Sequence, residues 1–91
     1  MSSFTRKVYR VVARIPIGEV RTYQWVASQA GNPRAARAVG QILKNNPFPL
    51  IIPCHRVVPT GGGVGGYSGR GGSRAKQRLL ELERKIKENM L

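Results

Sequence analysis

Residues 52–58 read Ile-Pro-Cys-His-Arg-Val-Val and join the chain's one cysteine, Cys54, directly to its one histidine, His55. A thiol attacks carbon only as its thiolate, and neighbouring cations favour that form. His55 supplies an adjacent base, Arg56 an adjacent cation, and Pro53 stiffens the backbone that leads into them. A lone cysteine is more often a small buried hydrophobe than a nucleophile. The pair alone therefore leaves both readings open, and its surroundings must decide. One cysteine cannot form an internal disulfide, and one cysteine with one histidine falls short of a structural zinc set. No metal and no cofactor is expected.

Four helices and the segments between them must position these residues. Phe4, Val8, Val11, Val12 and Ile15 recur at helical spacing, which predicts an amphipathic helix over 3–14 that Pro16 ends. Ile17, Gly18, Glu19 and Val20 form a short turn or strand. Thr22 is a predicted N-cap for a second helix reaching Ala30 and closed by Gly31. Asn32 is expected to cap a third helix, with Pro33 at its first position and an end near Lys44. Two helices joined by Gly31 and Asn32 resemble a helix-turn-helix. The apolar run Leu50, Ile51, Ile52 predicts a buried strand or extended segment delivering Cys54. Residues 59–72 hold eight of the eleven glycines, a loop able to approach a ligand through its backbone. Ser73 is expected to cap a last helix whose core stripe is Ala75, Leu79, Leu82, Ile86 and Met90. The fold class this implies is mainly α with short β segments, a small winged helix-turn-helix-like domain.

Charge narrows the partner. Sixteen Lys and Arg against four acidic residues give a net charge of +12 over 91 residues. Residues 1–60 carry nine basic residues against the single Glu19. A solvated surface usually mixes both signs, so this excess points to a polyanion such as nucleic acid. On the third helix, Ala35, Val39 and Ile42 would face the core while Arg34, Arg37, Ala38 and Gln41 face outward. Small residues beside arginines let a helix approach closely, as a minor groove about 6 Å wide requires. Ordinary surface arginines would give the same pattern.

Taken together, the ordered blocks GEVRTYQWVA, GNPRAARAVG, NNPFPLIIPCHRVV, GGYSG and LLELE resemble the O6-alkylguanine-DNA alkyltransferases, the methylated-DNA–protein-cysteine methyltransferases, in their C-terminal DNA-binding and active-site domain. The resemblance covers about residues 4–84. It implies single-turnover DNA repair, in which Cys54 irreversibly takes an alkyl group from guanine O6, with thymine O4 a further candidate, after the base leaves the duplex. It implies that His55 deprotonates Cys54 through a water and that Glu83 orients His55. Without it, Glu83 reads as a helix-surface acid pairing with Lys87. It further implies that Tyr23 crowds the target phosphate and bonds the flipped base, that Arg37 fills the vacated stack, and that Asn46 braces the turn before the active segment. Arg34, Ala38, Gln41 and Arg56 join Tyr23 and Arg37 in touching DNA. Val57, Tyr67 and Ser68 form the base pocket.

Family members usually carry an additional N-terminal domain, and 1–91 is expected to be a single domain without it. The implied partner is double-stranded DNA bearing O6-alkylguanine, bound by a monomer with no membrane. No signal peptide or apolar span is evident, which fits an intracellular setting, cytoplasmic at the nucleoid or nuclear. One rival is an alkyltransferase-like sensor that grips alkylguanine without repair. Such relatives generally replace the cysteine of PCHR, so Cys54 favours repair. A plain helix-turn-helix regulator would leave the cysteine segment without purpose, and a cysteine hydrolase would leave the basic surface without one.

Overall fold

Ser2 starts the first helix: its side-chain oxygen accepts the Thr5 N–H at 3.1 Å, satisfying a donor with no partner inside the helix. The computed structural model describes residues 2–48, 51–61 and 72–90. Helix α1 spans Ser3–Ala13, buries Val8 and Val12 one turn apart, and stops before Pro16 as expected. Thr22 accepts the Trp25 N–H at 3.0 Å and opens α2, Tyr23–Gln29. Gly31 closes it at φ +97°, with Gly31 N bonded to the Ser28 carbonyl and Asn32 N to the Ala27 carbonyl. That paired bonding is a Schellman ending, which needs a left-handed residue at the position of Gly31.

The third helix starts later than the sequence suggested. Helix α3 is Ala36–Lys44, and its capping position is Ala35, which makes no side-chain cap. Asn32 instead builds a turn, accepting Arg34 N on its side chain at 3.2 Å and Ala35 N on its carbonyl at 3.0 Å. An asparagine bonded two residues on mimics a backbone turn and competes with helix capping. Arg34 therefore sits in the turn, not on the helix. Val39 and Leu43 form the buried face of α3, while Ala35 and Ile42 pack at its edge.

The strand also lies elsewhere. β1 (Arg21–Thr22) and β2 (Val57–Val58) pair in parallel, Arg21 opposite Val57 and Thr22 opposite Val58. Ile51, expected to be buried, is 79% exposed, and Ile52 N bonds the Phe48 carbonyl at 2.8 Å. Ile51 and Ile52 thus lie in a turn and a bend, not in an extended strand. Leu50 lies outside the described residues.

Helix α4 runs Gly72–Met90, with Ser73 inside it. Its inward face is not the expected apolar stripe. Lys76 and Glu83 are buried, Ala75 and Leu79 half-buried, and Leu82, Ile86 and Met90 exposed. Seven residues are nearly two turns, so Lys76 and Glu83 share one face. Both have polar partners in the segment around Cys54, and these outweigh the apolar pattern. The core is otherwise made by α1, α2 and α3 closing over Cys54 and Val57.

Two glycines test the turns. Both Gly18 (φ +80°) and Gly31 lie in the left-handed region, where a side chain costs about 1–2 kcal/mol. A Cβ at Gly31 would meet nothing within 4 Å, whereas at Gly18 it would come within 2.8 Å of Lys87 Cβ. In urea denaturation Gly18→Ala is expected to lose clearly more stability than Gly31→Ala. Equal losses would mean that the contact between the 17–20 turn and α4 is easily relaxed.

Candidate active site and nucleic-acid interface

Cys54, His55 and Arg56 form a single tight turn, Cys54–Arg56, between the bend at 51–52 and β2. Asn46 holds the approach to it. Buried at the end of α3, Asn46 donates its side-chain N–H to the Ile52 carbonyl at 3.0 Å and accepts Phe48 N at 2.9 Å. The same Ile52 carbonyl accepts Cys54 N at 2.7 Å. One amide thus links α3 to the backbone that presents the cysteine.

Cys54 is 4% exposed and His55 2%. His55 Nε2 lies 2.8 Å from Glu83 Oε2, and against an ionised carboxylate, which can only accept, that nitrogen is the donor. Arg56 grips the same carboxylate with two donors, Nε to Oε1 at 2.9 Å and Nη2 to Oε2 at 2.7 Å. Its third, Nη1, reaches the Ile15 carbonyl at 2.8 Å. Burial pushes the Glu83 carboxyl up, but hydrogen bonds from Arg56 and His55, then their charges, more than reverse this. The net shift is down. Glu83 is an ionised orienter for His55. Arg56, expected to touch DNA, is instead committed to this internal cluster.

Lys76 is the residue that sequence reasoning missed. Fully buried, it donates to the Val57 carbonyl at 2.6 Å and makes a longer contact of 3.5 Å with the Tyr23 hydroxyl. Its ammonium also lies 5.6 Å from the centre of the Tyr23 ring. Burial lowers its pKa to about 8, against an opposing charge interaction with Cys54. Burial, and then the charge of Cys54, push the Tyr23 hydroxyl up, keeping it a neutral hydrogen-bond donor. A lysine in a basic helix carries no local signal of this. Only its seven-residue spacing from Glu83 could have hinted at it. Val57, expected in the base pocket, offers its carbonyl to Lys76 here, and a carbonyl accepts two such bonds. Tyr67 and Ser68 lie outside the described residues.

A cleft of about 470 Å³ opens beside this array, lined by Tyr23, Gln24, Ala36, Arg37, Gly40, Gln41, Pro59 and Thr60. Its walls are the start of α2, the outer face of α3 and the residues after β2. The parallel pairing of β1 with β2 is what brings Tyr23, just after β1, to the segment bearing Cys54. Arg34, Arg37, Ala38 and Gln41 are all exposed, with Arg37 and Gln41 lining the cleft and Arg34 in the turn before α3.

The fold and site together define a small helix-turn-helix domain with a buried cysteine set against a histidine–carboxylate pair. The family model for the 6-O-methylguanine DNA methyltransferase DNA-binding domain matches residues 3–85, and the chain belongs to that family. The human methylated-DNA–protein-cysteine methyltransferase is 51% identical over 82 residues, which cover 89% of this chain and 39% of that protein. The Mycolicibacterium paratuberculosis protein of the same name is 48% identical over 84 residues, 92% of this chain and 50% of its own. The chain thus spans half or less of these relatives. Among solved structures, the Mycobacterium tuberculosis alkyltransferase in complex with DNA superposes with a TM-score of 0.86 at 44% identity, covering 93% of this chain and 52% of that one. Atl1 of S. pombe, bound to damaged DNA containing O6-carboxymethylguanine, gives 0.80 at 36% identity, covering 91% and 77%.

Two outcomes test the electrostatics. Glu83→Gln should slow carbamidomethylation of Cys54 by iodoacetamide at neutral pH, as should His55→Ala, and the double variant should be slower by less than the product of the two effects. Independent, multiplying effects would separate the two residues. For Lys76, the folded state binds fewer protons than the unfolded chain between pH 8 and 10.5, so stability should rise with pH across that window. Lys76→Met should flatten that rise in denaturant titrations. An unchanged slope would show that Lys76 is not the group responsible.

Proposed function

We propose that this domain repairs double-stranded DNA by moving an alkyl group from guanine O6 onto Cys54, once per molecule and irreversibly. The observation that carries the reading is the thiol on a turn pinned through His55 to a buried, ionised Glu83, beside a cleft walled by α3. The names of its relatives point the same way, as does the DNA in the complexes of its structural neighbours. On this reading the domain corresponds to the C-terminal part of the longer relatives.

The chemistry follows from the groups present. His55, its Nε2 proton shared with Glu83, accepts the Cys54 proton at Nδ1 through a water, leaving a thiolate that the buried Lys76 ammonium also favours. Sulfur attacks the alkyl carbon from the side opposite O6. The S–C bond forms as the C–O6 bond breaks, and its electron pair goes to the guanine. The proton held at His55 returns through water to the departing base, so the products are a thioether and unmodified guanine. A thioether carbon is a poor electrophile that these side chains do not cleave, hence one turnover. A stacked guanine cannot present O6 to a buried sulfur, so the nucleotide must rotate into the cleft. Tyr23 then donates to the flipped base, and Arg37 occupies the gap from the exposed face of α3.

A binding-only sensor is the second reading, favoured by the likeness to Atl1 bound to damaged DNA. Mass spectrometry of the intact protein after incubation with O6-methylguanine duplex separates the two. The repair reading requires one added methyl, mapped to Cys54 and absent in Cys54→Ser, which should still bind the duplex. Binding by the wild type without added mass would leave the sensor. Arg37→Ala should slow transfer from duplex at least tenfold while leaving transfer from free O6-methylguanine base nearly unchanged. Equal losses on both substrates would assign Arg37 to the fold or the chemistry.

A further inference from the structure

A second groove lies between α1 and α2, and alkyl transfer makes no use of it. Lys7, Arg10 and Val11 from α1, Arg14 capping its end, and Trp25 and Gln29 from α2 line a depression of about 310 Å³. At 100° per residue, Lys7, Arg10 and Arg14 fall within about 60° of one another on the face of α1 opposite Val8 and Val12. All three are exposed, and none makes an ion pair or side-chain hydrogen bond among the described residues. Cations gathered on one face repel one another, and among the described residues no anion offsets them. Trp25, also exposed, is steadied by the Arg21 guanidinium 5.4 Å from its ring centre, and Arg21 is in turn paired with Glu19 at 2.8 Å.

This groove is separate from the cleft at α3. The two share no lining residue. On α2, Tyr23 and Gln24 face the cleft, while Trp25 and Gln29 point roughly 170° away around the helix axis. A large indole beside three uncompensated cations is the combination that grips unpaired nucleotides: the cations track phosphates and the ring stacks on a base, whatever its identity. Base pairs in a duplex hide their faces within the stack, so the indole selects single strands.

We infer that the α1–α2 groove binds single-stranded nucleic acid, with a base against Trp25 and phosphates on Lys7, Arg10 and Arg14, independently of the α3 face. A domain built this way holds an unpaired strand on one side while α3 engages a duplex on the other. The inference does not depend on alkyl transfer, and undamaged DNA tests it.

Trp25 is the only tryptophan, so its fluorescence reports on this groove alone. An oligothymidylate of about ten nucleotides should quench it saturably, and Arg37→Ala should leave both quenching and affinity in place. The triple variant Lys7→Gln, Arg10→Gln, Arg14→Gln alters exposed side chains only. It should weaken binding at least tenfold and reduce the salt slope of log K by about 2, at roughly 0.7 per phosphate contact on a single strand. Trp25→Ala, followed by anisotropy of a labelled strand, should weaken binding about tenfold. Binding without quenching, or equal binding by the triple variant, would overturn the inference. Quenching by polyglutamate at matched charge, with displacement of the oligonucleotide, would overturn it in favour of an acidic polypeptide.

Discussion

The buried carboxylate of Glu83 is the interaction on which the rest of the architecture depends. It lies on α4, receives His55 and Arg56 from the cysteine turn, and through Arg56 is tied to the Ile15 carbonyl just beyond α1. A buried charge costs several kcal/mol in lost solvation, and removing one partner of a buried pair strands the other. Three donors on one carboxylate offset that cost, and the two-point guanidinium contact also fixes direction. The cluster therefore does more than hold α4 in place: it sets which ring nitrogen of His55 faces the carboxylate.

A second constraint runs through the backbone. The short parallel pair β1–β2 and the Asn46 bridge fix two ends of the same segment, one to the start of α2 and one to the end of α3. Between them the chain has little freedom, and the cysteine sits at its centre. On the proposed repair reading this matters, because a nucleophile misplaced by an ångström is costly in rate. Here that rigidity comes from backbone carbonyls and one amide side chain, while the hydrophobic core made by α1, α2 and α3 supplies the platform.

Charge is distributed with similar economy. The formal +12 is not spread evenly in its use: Arg56 points inward onto the Glu83 carboxylate, Lys76 inward onto the Val57 carbonyl, and Arg37 stands at the cleft. Lys7, Arg10 and Arg14 form a separate outward face. Burial lowers the Lys76 pKa to about 8, so its charge is poised by the protein.

Local signals in the chain determined the elements that depend on a few adjacent residues. Ser2 and Thr22 as caps, Gly31 as a left-handed ending, the 3.6-residue pattern of α1 and the Cys-His pairing are all legible because each acts within about one turn. Resemblance to a family added Glu83, whose own spacing suggested only a surface pair with Lys87. Tertiary structure alone decided the rest. Asn32 makes a turn because its backbone is already held by the end of α2, which delays α3 to Ala36. Ile51 is exposed because Asn46 folds the segment back. Lys76 and Glu83 displace Leu82, Ile86 and Met90 from the inner face of α4, since their partners lie 19 and 28 residues away in sequence. Arg56 is drawn inward by a carbonyl 41 residues distant. Periodicity counts apolar side chains along one element, but a buried polar group is stabilised by atoms that only the folded chain brings to it.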